Sequence, residues 1–147
     1  MGRALLRSER NAKLFIEVVR SYVAAKKFQV HDFVVMPDHV HLLITVSADM
    51  SVERAVQLIK GGFSYRLKKE FEYSGEVWQR GFSEVRVNDR ESFATHREYI
   101  AENPVKGGLV NAPEDYPYCY GYLVRRKAAG AKAREETETF GTTKVVP

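Results

Sequence analysis

The sequence predicts an α+β domain, an antiparallel sheet with helices on one face, from the order in which two hydrophobic periods alternate along 147 residues. Apolar residues at three-and-four spacing mark helices ending near Phe28, spanning Val52 to about Phe71, and opening at Glu91 or Ser92. Apolar, β-branched runs mark strands over Val30–Met36, Val40–Val46 and Ser83–Val87. Helix, hairpin, helix, strand and helix is close to the split βαβ of a ferredoxin-like fold. The length suffices for one domain with one core.

Composition narrows the class. With 44% hydrophobic and 29% charged residues the chain reads as an ordinary globule, and no apolar run is long enough to cross a bilayer. Met1-Gly2-Arg3-Ala4 lacks a secretory pattern, and Cys119, the single cysteine, admits no intrachain disulfide, which fits a cytoplasmic protein. A net charge of +4 leans toward a polyanionic partner.

Ser8 or Asn11 is positioned to cap the first helix, whose stripe is Leu14, Phe15, Val18, Val19, Tyr22 and Val23, with Lys26 and Lys27 in its last turn. Pro37-Asp38 turns the chain between the first two strands. Side chains alternate along a strand, so His39 and His41 share a face with Cα atoms roughly 6.5–7 Å apart. That spacing suits two imidazoles on one metal ion, or two histidines that simply pack; both readings are open here.

Ser51 caps the second helix, which buries Val56, Ile59, Phe63 and Leu67. Gly61-Gly62 interrupts it at roughly 1 kcal/mol per glycine. Either that turn packs closely on the sheet or a phosphate backbone approaches it. Val77-Trp78 and Ser83–Val87 read as short strand pieces broken at Arg80-Gly81, with Trp78 a core residue or a stacking platform. The third helix carries His96, Tyr99 and Asn103, and Pro104 is expected to end it. Tyr99 and Asn103, four apart, share a helix face. A phenol and an amide facing a histidine pair would supply a nucleophile and a third neutral ligand for a hard divalent cation, although Asn103 also reads as a plain helix terminator. Tyr116, Tyr118, Tyr120 and Tyr122 alternate as in an extended segment laid along the body. Residues 1–125 form the domain and 126–147 a basic, polar tail, mobile from Ala128 on.

Four stretches together resemble one family. Val34-Val35-Met36-Pro37-Asp38-His39-Val40-His41-Leu42-Leu43 resembles the His-hydrophobe-His (HUH) motif of single-tyrosine transposases. Tyr99-Ile100-Ala101-Glu102-Asn103-Pro104-Val105-Lys106-Gly107-Gly108-Leu109-Val110 is similar to the tyrosine helix of their REP-associated branch. Leu58-Ile59-Lys60-Gly61-Gly62-Phe63-Ser64 and Val77-Trp78-Gln79-Arg80-Gly81-Phe82 are similar to its connecting segments.

The resemblance implies metal-dependent cleavage and rejoining of single-stranded, hairpin-associated DNA through a 5′-phosphotyrosine. Tyr99 would be the nucleophile, and His39, His41 and Asn103 would hold Mg²⁺ or Mn²⁺. DNA contact would fall on Lys60, Ser64, Arg66, Lys68 and Arg80, and the protein would act as a monomer or homodimer. His96 is a possible base. The chain departs from the branch at Ser83-Glu84-Val85, where histidines are expected.

The family also begins with a strand that pairs with the histidine strand, and here only Met1–Arg7 precede the first helix, so the first strand is missing. Three explanations are open: a gene start placed too late, a tail or partner strand filling the gap, or a decayed copy. The first is our expectation, and an in-frame stop immediately upstream of Met1 would refute it. Two other functions fit parts of the sequence. A His-x-His metallohydrolase barrel needs about 250 residues and further His and Asp ligands, whereas only His31 and His96 remain. A catalytically inactive or domesticated hairpin-binding module is the second.

Overall fold

The computed structural model describes residues 4–79, 83–130 and 142–146. Ser8 opens α1 (Glu9–Ala24), its hydroxyl accepting the Asn11 N–H at 3.1 Å. Lys26 adopts a left-handed conformation with φ of 60°, so the helix stops short of the expected Phe28 and both lysines lie past its end. Next come β1 (Gln29–Met36) and β2 (His39–Thr45), joined by the two-residue turn Pro37-Asp38. Proline's fixed negative φ bars the primed turns usual in such hairpins. The Pro37 carbonyl instead accepts Leu6 N–H at 2.9 Å from a 3-10 turn over Leu5–Arg7, so the start of the chain braces the histidine hairpin.

Ser51 caps α2 (Val52–Phe71) over the predicted span, accepting Arg54 N–H at 3.0 Å. β3 (Ser83–Val87) follows; Val77 and Trp78 are not in a strand, and Arg80 and Gly81 lie outside the described residues. Asp89 caps α3 (Arg90–Lys106), which corrects the helix end predicted at Asn103. Pro104 removes one donor but sits buried inside the helix. Gly107 N–H to Asn103 O and Leu109 N–H to Pro104 O, both 2.9 Å, close a further turn.

The tyrosine segment is extended only in part. Val35 N–H donates to Tyr118 O and Val34 bridges to Cys119, so this stretch covers the outer edge of β1, while Tyr120 and Tyr122 lie in α4 (Tyr120–Gly130). The expected tail departs from its reading at two places: α4 runs on to Gly130, and Thr142–Val146 forms a strand, β4.

The sheet order is β1-β2-β4-β3 with every neighbouring pair antiparallel. Since β2 and β3 both run against β4, they are parallel to each other, and α2 joins them into a βαβ unit split by the inserted strand. β4 takes the place between β2 and β3 where the family's first strand is expected. The β2–β4 ladder covers Leu42–Ile44 and stops before His41.

Helices flank both faces, not one. Phe33, Val35, Val40, Leu42 and Ile44 pack with α1 and α2, whereas Val34, Met36 and Leu43 pack with Ile100 of α3 and with Tyr116 and Cys119. The reason is written in the strands: Phe33-Val34-Val35-Met36 and Val40 to Ile44 are buried without alternation, the signature of a sheet covered on both sides.

Gly62 is a packing residue, but against α1 and not the sheet. A Cβ there would lie 2.7 Å from Tyr22 Oη and 3.1 Å from Val18 Cγ1, whereas one at Gly61 would meet nothing within 4 Å. Gly62→Ala is therefore expected to lower stability by about 1–2 kcal/mol, and Gly61→Ala to raise it by about 0.5–1 kcal/mol, in urea denaturation.

Candidate functional site

Strand alternation carries His39 and His41 to the α3 face, opposite Met36 and Val34 in the β1 register. Their ring centroids lie 4.8 Å apart with planes at 88°. His41 is 5% exposed; His39 is half-buried at the rim. The Asp38 carboxylate meets His39 Nδ1 at 2.7 Å, and this bond holds the Asp38 carboxyl below its ordinary range. A carboxylate on one imidazole nitrogen fixes the ring and leaves Nε2 as the nitrogen for an incoming ligand.

Tyr99 arrives from α3. Its ring meets His41 edge-on at 5.4 Å, so the phenol lies on the histidine side of the sheet, as the sequence predicts. The ring is 41% exposed, and Lys106 Nζ sits 5.7 Å from its centroid. His96, Tyr99, Asn103 and Lys106 occupy one stripe of α3, while Ile100 and Pro104 on the adjoining stripe are buried. Asn103 is half-buried within the helix.

Two imidazoles on one strand face, one of them oriented by a carboxylate, fit a divalent metal. Among the described residues no group of three His, Cys, Asp or Glu side chains is placed to hold an ion, so a third protein donor there would be of another kind. The amide of Asn103 has the right chemistry.

The basic residues of α2 are not brought to this site. That helix covers the other face of the sheet. Lys60 Nζ donates to Gln79 O at 3.2 Å and lies 5.7 Å from the Trp78 ring; burial lowers its pKa. Arg66 pairs with Glu70 at 2.5 Å and with Glu17 at 3.6 Å. Ser64 is half-buried, Lys68 is exposed, and Arg80 lies outside the described residues. Trp78 is half-buried and packs on the core, edge-on to Phe15 and Phe63, with its indole N–H on Lys60 O at 3.0 Å.

Two neighbours of the site escaped the sequence reading although signals existed. Lys106 falls two helical turns after Tyr99. Asp32 is a charge inside an apolar strand; it is buried and pairs with Arg97 Nε at 3.5 Å. Burial pushes its carboxyl up to about 6 from 3.8, against the opposing pull of Arg97. The folded state therefore holds this proton more tightly than the unfolded chain does, so stability falls as pH rises from about 4 through about 6. The loss is complete above that and amounts to about 3 kcal/mol. Asp32→Asn is expected to flatten that decline and to be the more stable protein at pH 8, measured by urea denaturation across pH 4–8.

The structure thus brings together an antiparallel sheet, paired imidazoles on one of its faces and a helix-borne tyrosine beside them. Residues 3–103 match the family model described as "Transposase IS200 like", and the chain belongs to that family. Within it, the chain is 35% identical over 95 residues to a proposed REP-associated tyrosine transposase of Haemophilus influenzae, covering 57% of this chain and 53% of that protein. It is 28% identical over 99 residues to the REP-associated tyrosine transposase of Escherichia coli K12, covering 63% and 54%. The chain thus spans about half the length of these curated relatives. The structure of a REP-associated tyrosine transposase bound to a REP hairpin shares the fold, with a TM-score of 0.68 and 22% identity over 94% of this chain and 81% of that one. Among the described residues no helix is long and apolar enough to cross a membrane.

Proposed function

We propose that this chain cuts and rejoins single-stranded, hairpin-associated DNA through a covalent 5′-phosphotyrosine at Tyr99. The observation that carries the reading is the Tyr99 ring 5.4 Å from His41, itself 4.8 Å from His39. The fold that goes with it is ferredoxin-like, and the hairpin bound in the solved neighbour supports the same substrate class.

Mg²⁺ or Mn²⁺ held by His39, His41 and Asn103 would neutralise charge on the scissile phosphate. Tyr99 Oη attacks phosphorus in line; the Oη–P bond forms as the P–O3′ bond breaks, and the phenolic proton is transferred so that a free 3′-hydroxyl leaves. The bond energy is kept in the phosphotyrosine, so a hydroxyl from another strand end reverses the attack and joins the ends. Asp38 keeps the His39 ring from turning. Lys60, Ser64, Arg66, Lys68 and Arg80 are the proposed DNA contacts outside the reacting centre. With α2 on the far face of the sheet, the four that it carries would grip the hairpin away from the scissile phosphate. The protein works in the cytoplasm, as a monomer or homodimer.

The test is incubation with a single-stranded hairpin oligonucleotide and Mn²⁺, followed by denaturing electrophoresis. A protein–DNA adduct supports the reading. Hairpin binding with no adduct would make the chain a DNA-binding module instead.

A further inference from the structure

Three buried residues of the described chain are polar or charged: Asn11, Asp32 and His41. Asn11 serves the first turn, donating to Leu5 O at 2.8 Å, and His41 belongs to the site above. Asp32 has a different set of partners. It follows the register shift in β1, and its Oδ1 accepts the Phe33 N–H at 2.9 Å. Its Oδ2 faces Arg97 Nε at 3.5 Å, on α3, two residues before Tyr99.

The contacts around this pair tie α3 to both strands of the hairpin. The Arg97 guanidinium lies 5.9 Å from the Phe93 ring centroid, Phe93 meets His31 edge-on at 5.6 Å, and His31 Nε2 shares a 2.6 Å hydrogen bond with Thr45 Oγ1. Past the far end of the helix, Gly107 lies against Met36, where an added Cβ would come within 3.0 Å of the methyl carbon. Tyr99 sits between these two anchors with 41% of its surface exposed, so the docking of the helix places it.

We propose that Asp32 and Arg97 are a positioning pair that fixes the rotation and height of α3, and thereby holds the Tyr99 hydroxyl toward the paired imidazoles. This rests on the reading of Tyr99 as the nucleophile. Apolar contacts such as those of Ile100 are non-directional and permit a helix to slide. A buried carboxylate facing a half-exposed guanidinium is attracted in a way that depends on distance and orientation, and so favours one arrangement. The carboxylate costs stability where it stands, since burial outweighs the attraction of Arg97. An amide there is expected to make a more stable fold at pH 8, so the contribution proposed for the charge is placement and not strength. The charged group acting on Asp32 is Arg97 from α3, and Asp32 in turn adds to the upward push that burial gives the Cys119 thiol in the segment along β1.

The experiment compares wild type, Asp32→Asn, Arg97→Gln and the double variant at pH 8. Adduct formation with the hairpin oligonucleotide and Mn²⁺, urea stability, and amide exchange along α3 are followed together. Each single change is expected to slow adduct formation about 10-fold and to speed exchange over 93–102 relative to α1, with Asp32→Asn at least as stable as wild type. The double variant should be no slower than either single, and Arg97→Lys should recover most of the rate. Unchanged rates in both singles, multiplying losses in the double, or losses that track global stability would overturn the pair. If wild type forms no adduct, the nucleophile reading fails by itself, and exchange along α3 still decides whether the pair docks the helix.

Discussion

Tyr99→Phe is expected to reduce covalent capture of a hairpin oligonucleotide to background, a loss of at least about 1000-fold, with the fold intact. Phenylalanine keeps the ring that meets His41 edge-on and lies beside Lys106, and removes only the hydroxyl. The side chain is 41% exposed, so stability should change by no more than about 0.5 kcal/mol. Tyr116 cannot substitute from its place in the fold. Tyr116, whose hydroxyl is buried against Val35 O at 2.5 Å, faces the outer edge of β1, and burial pushes its pKa up to about 12. Retention of the adduct in Tyr99→Phe would move the nucleophile elsewhere, and with it the whole reading of the site. Hairpin affinity measured alongside should be nearly unchanged, since the proposed cation and DNA contacts do not depend on the phenol.

Removal of residues 142–147 is expected to abolish cooperative folding or to lower stability on the order of 5 kcal/mol, comparable to the whole margin of a small domain. β4 is the strand between β2 and β3 and pairs with both. Without it the backbone of Leu42–Ile44, buried on both faces of the sheet, loses its partners on one side, and so does that of β3. The histidine end of β2 keeps its pairing with β1, so damage should begin at Leu42–Ile44 and reach the site only through the collapse of the sheet. Thermal melting followed by circular dichroism, with amide exchange at those three residues, measures it. A truncated chain that melts like the full one would show that the sheet does not need this strand.

Local chemistry made much of this legible before any fold was known. Ser8 and Ser51 cap the helices they are positioned to cap, α2 spans its predicted residues, and Pro37-Asp38 turns the histidine hairpin as read. Each depends on interactions within a few residues. Errors gathered where the deciding partner lies far along the chain. Pro104 stays inside α3 because its ring is buried there and the following turn closes around Gly107, outweighing the lost donor. The second layer of helix was hidden in plain view, since the unbroken apolar runs of β1 and β2 already called for cover on both faces.

From the order of residues alone came the two imidazoles on one strand face and the tyrosine and amide on one helix face, because periods of two and 3.6 fix which side chains travel together; the chemistry expected of them came from the family resemblance. Which groups meet was decided only by tertiary packing. It put α3 on the histidine side of the sheet and α2 with its cations on the other, and it drew the last strand into the centre. A buried carboxylate came to face the tyrosine helix through the same packing. Those outcomes depend on long-range burial and strand pairing: the apolar runs call for cover on both faces, but which helix supplies it, and that Leu42 pairs with Val145, is settled between residues far apart in the chain.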